Sequence, residues 1–281
     1  MFSQKLSTIV SCPALEEKIS LMDDITLLGS CFVDNMAGKL LEAGFKAHAN
    51  PFGTLYNPAS IAGAVQILDS DEFFSEKDCV QMGAGAEKFC SFYHHTSFAR
   101  PTKEEFLQNA NEALCLAREN WHKSKWVIIT LGTAFVWTRD GEVVSNCLKR
   151  PAREFEHFLL SVENVKEYLT KIVSSHSDKK FIFTVSPIRH MGEGAHANTL
   201  SKSTLHLGLN GMDANYFPAC EILLDELRDY RFYADDLVHP SALAVNIIWE
   251  EFRQYACRED EMTQIETNEK LSRAAKHVRR T

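Results

Sequence analysis

Long apolar runs are missing from this sequence. None approaches the roughly 18 residues that a helix needs to cross a bilayer, so no membrane span is expected. The opening stretch MFSQKLSTIVSCPALEEK has only a short apolar segment, Leu6 to Val10, interrupted by hydroxyls. It lacks the apolar core and small-residue cleavage site of a signal peptide, and the expected location is cytoplasmic. Positive charge is not in excess either. The 281 residues carry a formal net charge of −8, which argues against nucleic acid or a membrane surface as partner. The eight cysteines are scattered singly with no C-x-x-C pair, so a cysteine zinc site is excluded and free thiols, mostly buried, are expected. His-x-x-x-His and His-x-His spacings are also absent. The adjacent His94 and His95, even with Asp235 and Asp236 in the chain, give a metal no anchoring pair. Neither metal nor cofactor is expected.

Internal repeats and low-complexity linkers are lacking too. Residues 1–257 read as one domain with an aperiodic insertion near 73–101. Residues 258–281 read as a charged helical tail, with acids early (Glu259, Asp260, Glu261) and bases late (Lys276, Arg279, Arg280), as suits a helix dipole.

What is present is an ordinary globular composition, 45% hydrophobic and 24% charged, in a chain long enough to bury a sizeable core. Short apolar runs alternate with amphipathic stretches, the pattern of an α/β fold with a mainly parallel sheet. Strands are expected at Asp24 to Gly29, Trp126 to Leu131 and Lys180 to Val185. Helices are expected from Val33 to Ala43, stopped by Gly44, and near Ser60 to Leu68, opened by Asn57-Pro58. Further helices follow from the capping box Thr102-Lys-Glu-Glu105 to His122, over Val162 to Ser175, and from His239-Pro240 to Tyr255.

Two segments can carry chemistry. In Leu27-Leu28-Gly29-Ser30-Cys31-Phe32 a buried strand ends in Gly-Ser just before a helix. Ligands gather at the carboxyl ends of strands in open α/β sheets, so Ser30 sits where a nucleophile belongs. Its N–H would stand at a helix N-terminus, suited to an oxyanion. The alternative is a plain capping serine. In Tyr233-Ala-Asp-Asp-Leu-Val-His-Pro-Ser241, Pro240 keeps His239 out of the helix, and Asp236 can reach back to orient its ring. The alternative is a turn-capping aspartate beside a solvated histidine.

Gly29-Ser30-Cys31-Phe32 resembles the signature of the GSCFA family, with Val33 in place of its alanine. Further matches are Asn50 to Pro58, Leu131-Gly-Thr-Ala134, Asn146-Cys147, Leu160-Ser-Val-Glu163, Ser186-Pro-Ile-Arg-His190 and Asp235 to Ser241. The family is similar to SGNH/GDSL hydrolases. This implies a flavodoxin-like three-layer α/β/α SGNH hydrolase fold and ester hydrolysis, with Ser30, Asp236 and His239 as catalytic triad. Cys31 is adjacent and the stronger nucleophile once ionised, but neighbours at a strand-to-helix elbow point different ways; the family pattern favours Ser30 and makes Cys31 a buried structural thiol.

The oxyanion hole implied by the resemblance is Ser30 N–H with Gly53 N–H; Gly53 is alternatively a turn glycine. The asparagine such enzymes carry after the third strand is absent from Gly132-Thr133-Ala134. Asp140-Gly141 signals a hairpin that pairs Val136 with Ser145 and Phe135 with Asn146, bringing Asn146 near the vacant place. A slip of one residue would turn it away.

The expected substrate is a small-molecule ester, by analogy an acylated sugar held by Phe89, Phe92, Tyr93, Phe98 and Trp137, although these aromatics are as easily core residues. The rivals are an acyltransferase with the same triad and a non-catalytic binding protein that has lost part of the hole. His190 has no assigned step.

Overall fold

The computed structural model describes residues 7–278. Five strands form a parallel sheet: β1 (Asp24–Gly29), β2 (Lys46–Ala49), β5 (Trp126–Leu131), β9 (Lys180–Val185) and β10 (Asn215–Tyr216), in the order β10-β9-β5-β1-β2. Numbered along the chain, that is the doubly wound order 2-1-3-4-5, whose switch point lies between β1 and β5. Strand alternation sends Leu28, Ile129 and Phe183 to one face and Leu27, Ile128 and Ile182 to the other. Helices α2 (Pro58–Asp69), α3 (Lys103–Lys123), α4 (Val162–Ser174) and α5 (Ala195–Leu209) cover the first face. Helices α1 (Phe32–Ala43), α7 (Ala242–Ala256) and α8 (Met262–Val278) cover the second, with the short α6 (Ala219–Glu221) and its π-helical continuation Ile222–Leu227. The result is three layers, α/β/α.

Local chemistry accounts for most helix ends. Asn57 caps α2 by accepting from Ser60 N, with Pro58 at the first position, and the Thr102–Glu105 capping box opens α3. Gly44 ends α1 in the left-handed conformation at φ 96°. The helix after His239 differs from expectation: α7 begins at Ala242, with Ser241 accepting from Ala244 N. Pro240 is instead bridged to Tyr233, so the turn that carries His239 closes before the helix opens.

An antiparallel sheet, β7 (Glu142–Val144), β6 (Phe135–Arg139) and β8 (Glu156–Leu159), stands over the switch-point end of the parallel sheet. A two-stranded pair, β3 (Val80–Gln81) and β4 (Phe89–Cys90), lies in the 73–101 segment, which packs on the first core through Phe74, Met82 and His94. The hairpin register is the expected one, with Arg139 opposite Glu142 and Trp137 opposite Val144. The ladder stops there, however. Ser145 and Asn146 turn their N–H groups to Phe92 O, and Asn146 Oδ1 accepts from Leu148 N at 2.8 Å. Beyond Cys257, α8 packs on α1: Ile265 is fully buried, and Asn268 Nδ2 donates to Ala43 O at 2.9 Å.

Two predictions follow from backbone geometry. Gly29 has φ 139°, and a Cβ there would meet Thr130 O at 2.1 Å across the sheet. Gly29→Ala should cost about 3 kcal/mol or more in chemical unfolding. Gly38→Ala, inside α1 with nothing within 4 Å, should instead stabilise by up to about 1 kcal/mol; equal effects would refute the clash. Asn146→Ala should lose about 1 kcal/mol, because the bond to Leu148 N supports Leu148 and Lys149 at φ 52° and 57°; an unchanged midpoint would refute that role.

Candidate active site

The site grows out of the β1–α1 elbow. Gly29 N donates to Asn50 Oδ1 at 3.0 Å, and Gly29 O accepts from Leu55 N at 2.9 Å, so the loop after β2 is stitched along the elbow. Ser30 stays within the sheet's hydrogen bonding, its N–H on Thr130 O at 3.1 Å. It is fully buried, and its Oγ accepts from Phe32 N at 3.4 Å; it makes no hydrogen bond to His239. The next residue turns the other way. Cys31, at the N-cap of α1, is half-buried, lines a cleft of about 310 Å³, and holds its Sγ 3.4 Å from His239 Nε2. Among the described residues the direct partner of His239 Nε2 at the elbow is thus Cys31, which lines the cleft and is not sealed, while Ser30 is buried with its Oγ on Phe32 N.

Asp236 and His239 meet as expected. Asp236 Oδ2 lies 2.7 Å from His239 Nδ1, while Oδ1 accepts from the N–H groups of Val238 and His239, each at 2.9 Å. The N–H of His239, then that of Val238, then the imidazole itself pull the Asp236 carboxyl down to about 2. An ionised carboxylate on Nδ1 keeps the proton there and leaves the Nε2 lone pair facing the thiol. The turn is tight, with Leu237 at φ 56°. Arg189 clamps it: its N–H reaches Val238 O at 3.2 Å and its Nη1 reaches Leu237 O at 3.1 Å.

Burial pushes the Cys31 thiol above its ordinary range, with its own N–H partly opposing. Cys31 thus rests as a neutral thiol. Lys202, from α5, is buried behind it. Its Nζ donates to Gly132 O at 2.7 Å and Ser186 O at 2.8 Å, tying together the carboxyl ends of β5 and β9. Desolvation lowers it to about 8, and no carboxylate pairs with it among the described residues. His190 also lines the cleft. Desolvation, then the charge on Lys202, lower it to about 4, so it is neutral at physiological pH. Its Nε2 is packed against Gly132, 3.1 Å from where a Cβ would stand.

The proposed oxyanion donors do not converge here. Ser30 N–H is spent on Thr130 O, and Gly53 N–H closes a turn onto Asn50 O at 2.7 Å. Gly53 is a turn glycine at φ 79°, with His95 filling the space a side chain would take. Asn146 is outside the cleft walls, because the ladder ends at Val144, two residues before the pairing that would have brought it in. Of the five aromatics expected to hold a sugar, Trp137 lines the cleft, stacked on His157 at 4.0 Å. Phe89, Phe92 and Phe98 pack on the core, and Tyr93 is exposed elsewhere. His94 is a core residue on Ser91 Oγ at 2.6 Å, while His95 caps a short 3-10 helix. Among the described residues no three His, Cys, Asp or Glu side chains converge on a metal position. Sequence reasoning took Asn57 only as a helix cap and left Arg189 and Lys202 without a role. The Asn57-Pro58 pair was the one available signal.

Set beside curated proteins, the chain matches none. The family model described as GSCFA family matches residues 24–252, from the start of β1 into α7. That span holds the elbow, the Asp236–His239 turn and every wall of the cleft, and the chain belongs to the GSCFA family.

Proposed function

We propose that this protein is an acyl-transfer enzyme that hydrolyses a carboxylic ester through Cys31, His239 and Asp236, on a fold akin to the SGNH hydrolases. The observation that carries the reading is the contact chain from Asp236 Oδ2 through the His239 ring to Cys31 Sγ, at 2.7 and 3.4 Å. It is the nucleophile–base–orienter arrangement with sulfur in the serine's place. The switch-point location supports it, and so does the cleft above the thiol.

The steps follow from the contact chain and from the protonated thiol. His239 Nε2 takes the thiol proton as the sulfur attacks the carbonyl carbon, whose π pair moves onto oxygen. The tetrahedral adduct collapses, and the imidazolium gives its proton to the departing alkoxide, leaving a thioester on Cys31 and a free alcohol. Water then gives a proton to His239 and attacks the thioester. The acid leaves, and the sulfur recovers its proton. A small-molecule ester suits the cleft size, and the Trp137–His157 stack beside it suits an acylated sugar. No step calls for a cofactor.

The deciding experiment is substitution of the two elbow residues. Cys31→Ala should abolish turnover of a short 4-nitrophenyl ester and acylation seen by peptide mapping. Ser30→Ala should keep most of both, since the hydroxyl only supports Phe32 N; the opposite pattern would restore the serine mechanism. Asn146→Ala should keep kcat within a few-fold. Running the reaction with added alcohols shows whether water or an alcohol takes the acyl group.

The raised thiol adds a pH signature. Because burial favours the protonated form, alkylation of Cys31 by iodoacetamide should have its midpoint above that of an ordinary cysteine. A midpoint well below it would mean a standing thiolate–imidazolium pair and would overturn the general-base step.

A further inference from the structure

Asn57 lines the same cleft as Cys31 because of how the loop after β2 is fastened. Leu55 N bonds to Gly29 O at 2.9 Å, and Tyr56 O accepts the N–H groups of Gly132 and Thr133 at 2.8 and 2.9 Å. Leu55 is thus opposite Gly29, and Asn57, two positions on, reaches the cleft that Cys31 and His239 line. Its side chain is almost fully buried, at 7% exposure, and is held from one end: Oδ1 accepts from Ser60 N at 2.8 Å.

That cap settles which way the amide points. Only the oxygen can accept from Ser60 N, so Nδ2 and its hydrogens take the opposite side. Nδ2 has no acceptor among the described residues, yet it is not one of the side-chain atoms sealed away from both solvent and partners. The N–H of Cys31, at the start of α1, likewise donates to no other residue among those described. Asn57 Nδ2 and the Cys31 N–H, the latter turned only to its own sulfur, are thus held by no other described residue at one cleft.

We infer that Asn57 is a catalytic residue of this site: its Nδ2–H, with the main-chain N–H of Cys31, receives the negative oxygen that forms when the Cys31 sulfur adds to a substrate carbonyl. The inference rests on the acyl-transfer reading above. As the carbon–sulfur bond forms, the carbonyl π pair becomes a full charge on oxygen. It returns to the carbon–oxygen bond as the alkoxide leaves with the proton from His239. A donor already fixed by a helix cap needs no reorganisation at that moment, which is where such hydrogen bonds are most effective. Asn57 supplies the role that Gly53, tied to Asn50 O, and Asn146, outside the cleft, do not fill.

Two variants separate this role from capping. Asn57→Asp and Asn57→Ser both keep a good N-cap for α2, so the melting temperature should hold. The first replaces the donor with an anionic acceptor; the second shortens it out of reach without adding charge. Single-turnover acylation of Cys31 by 4-nitrophenyl acetate, followed by mass spectrometry, should slow about 10²- to 10³-fold in both. Alkylation of Cys31 by iodoacetamide, which expels iodide and builds no oxyanion, should stay within a few-fold of wild type.

Acylation at the wild-type rate in both variants overturns the inference. So does a parallel loss of alkylation, which would make Asn57 a support for the thiol or its packing. A wild-type Cys31 that is alkylated but never acylated brings down the acyl-transfer reading, and the inference with it.

Discussion

The close approach of β1 and β5 at Gly29 governs this molecule. The parallel ladder brings Thr130 O so near that no side chain fits, and a positive φ of 139° starts the elbow. From that point the chain has little freedom. One more N–H stays on the ladder through Ser30, and the next residue must begin the helix. Cys31 is thereby delivered at the switch point, its N–H at the head of α1 and its sulfur over the cleft. Everything else in the site is arranged around a position that the sheet dictates.

Two turns complete it from opposite sides, and each is fixed through a polar side chain rather than by burial in a core. Asp236 folds its own loop by taking the N–H groups of Val238 and His239, and spends its other oxygen on the imidazole. The same carboxylate therefore shapes the loop and sets the tautomer. Asn57 divides its amide in a similar way, oxygen to the helix and nitrogen to the cleft. Behind both, Lys202 pins the ends of β5 and β9 with a charge that has left water, tolerated because backbone carbonyls receive it.

Much of the fold was readable because strands buried on both faces announce themselves. Trp126–Leu131 and Lys180–Val185 begin and end where their apolar runs do. Caps fixed α2 and α3 for the same local reason. Pro240 misled about α7, since Ser241, the residue after it, is the better acceptor for the first free N–H groups. In the site, the Asp236–His239 pair was legible as spacing within one turn. Choosing between Ser30 and Cys31 was not, because the two differ only in which way an elbow turns them. That direction is set by Thr130, a hundred residues away along the chain. Asn146 failed for a related reason: a correct hairpin register does not say where the ladder ends, and Phe92, from a segment without periodicity, ends it.

Helix α1 carries the site at its head and is gripped at its foot by α8, where Asn268 takes up Ala43 O and Ile265 closes the apolar layer. During synthesis, then, the support beneath Cys31 is finished late. A ribosome that has made the whole sheet, the Asp236–His239 turn and α7 still holds a chain whose α1 has one bare flank. The parts that line the cleft precede, in time, the piece that steadies them. A nascent chain stalled before residue 262 presents that uncovered layer to chaperones rather than a finished cleft.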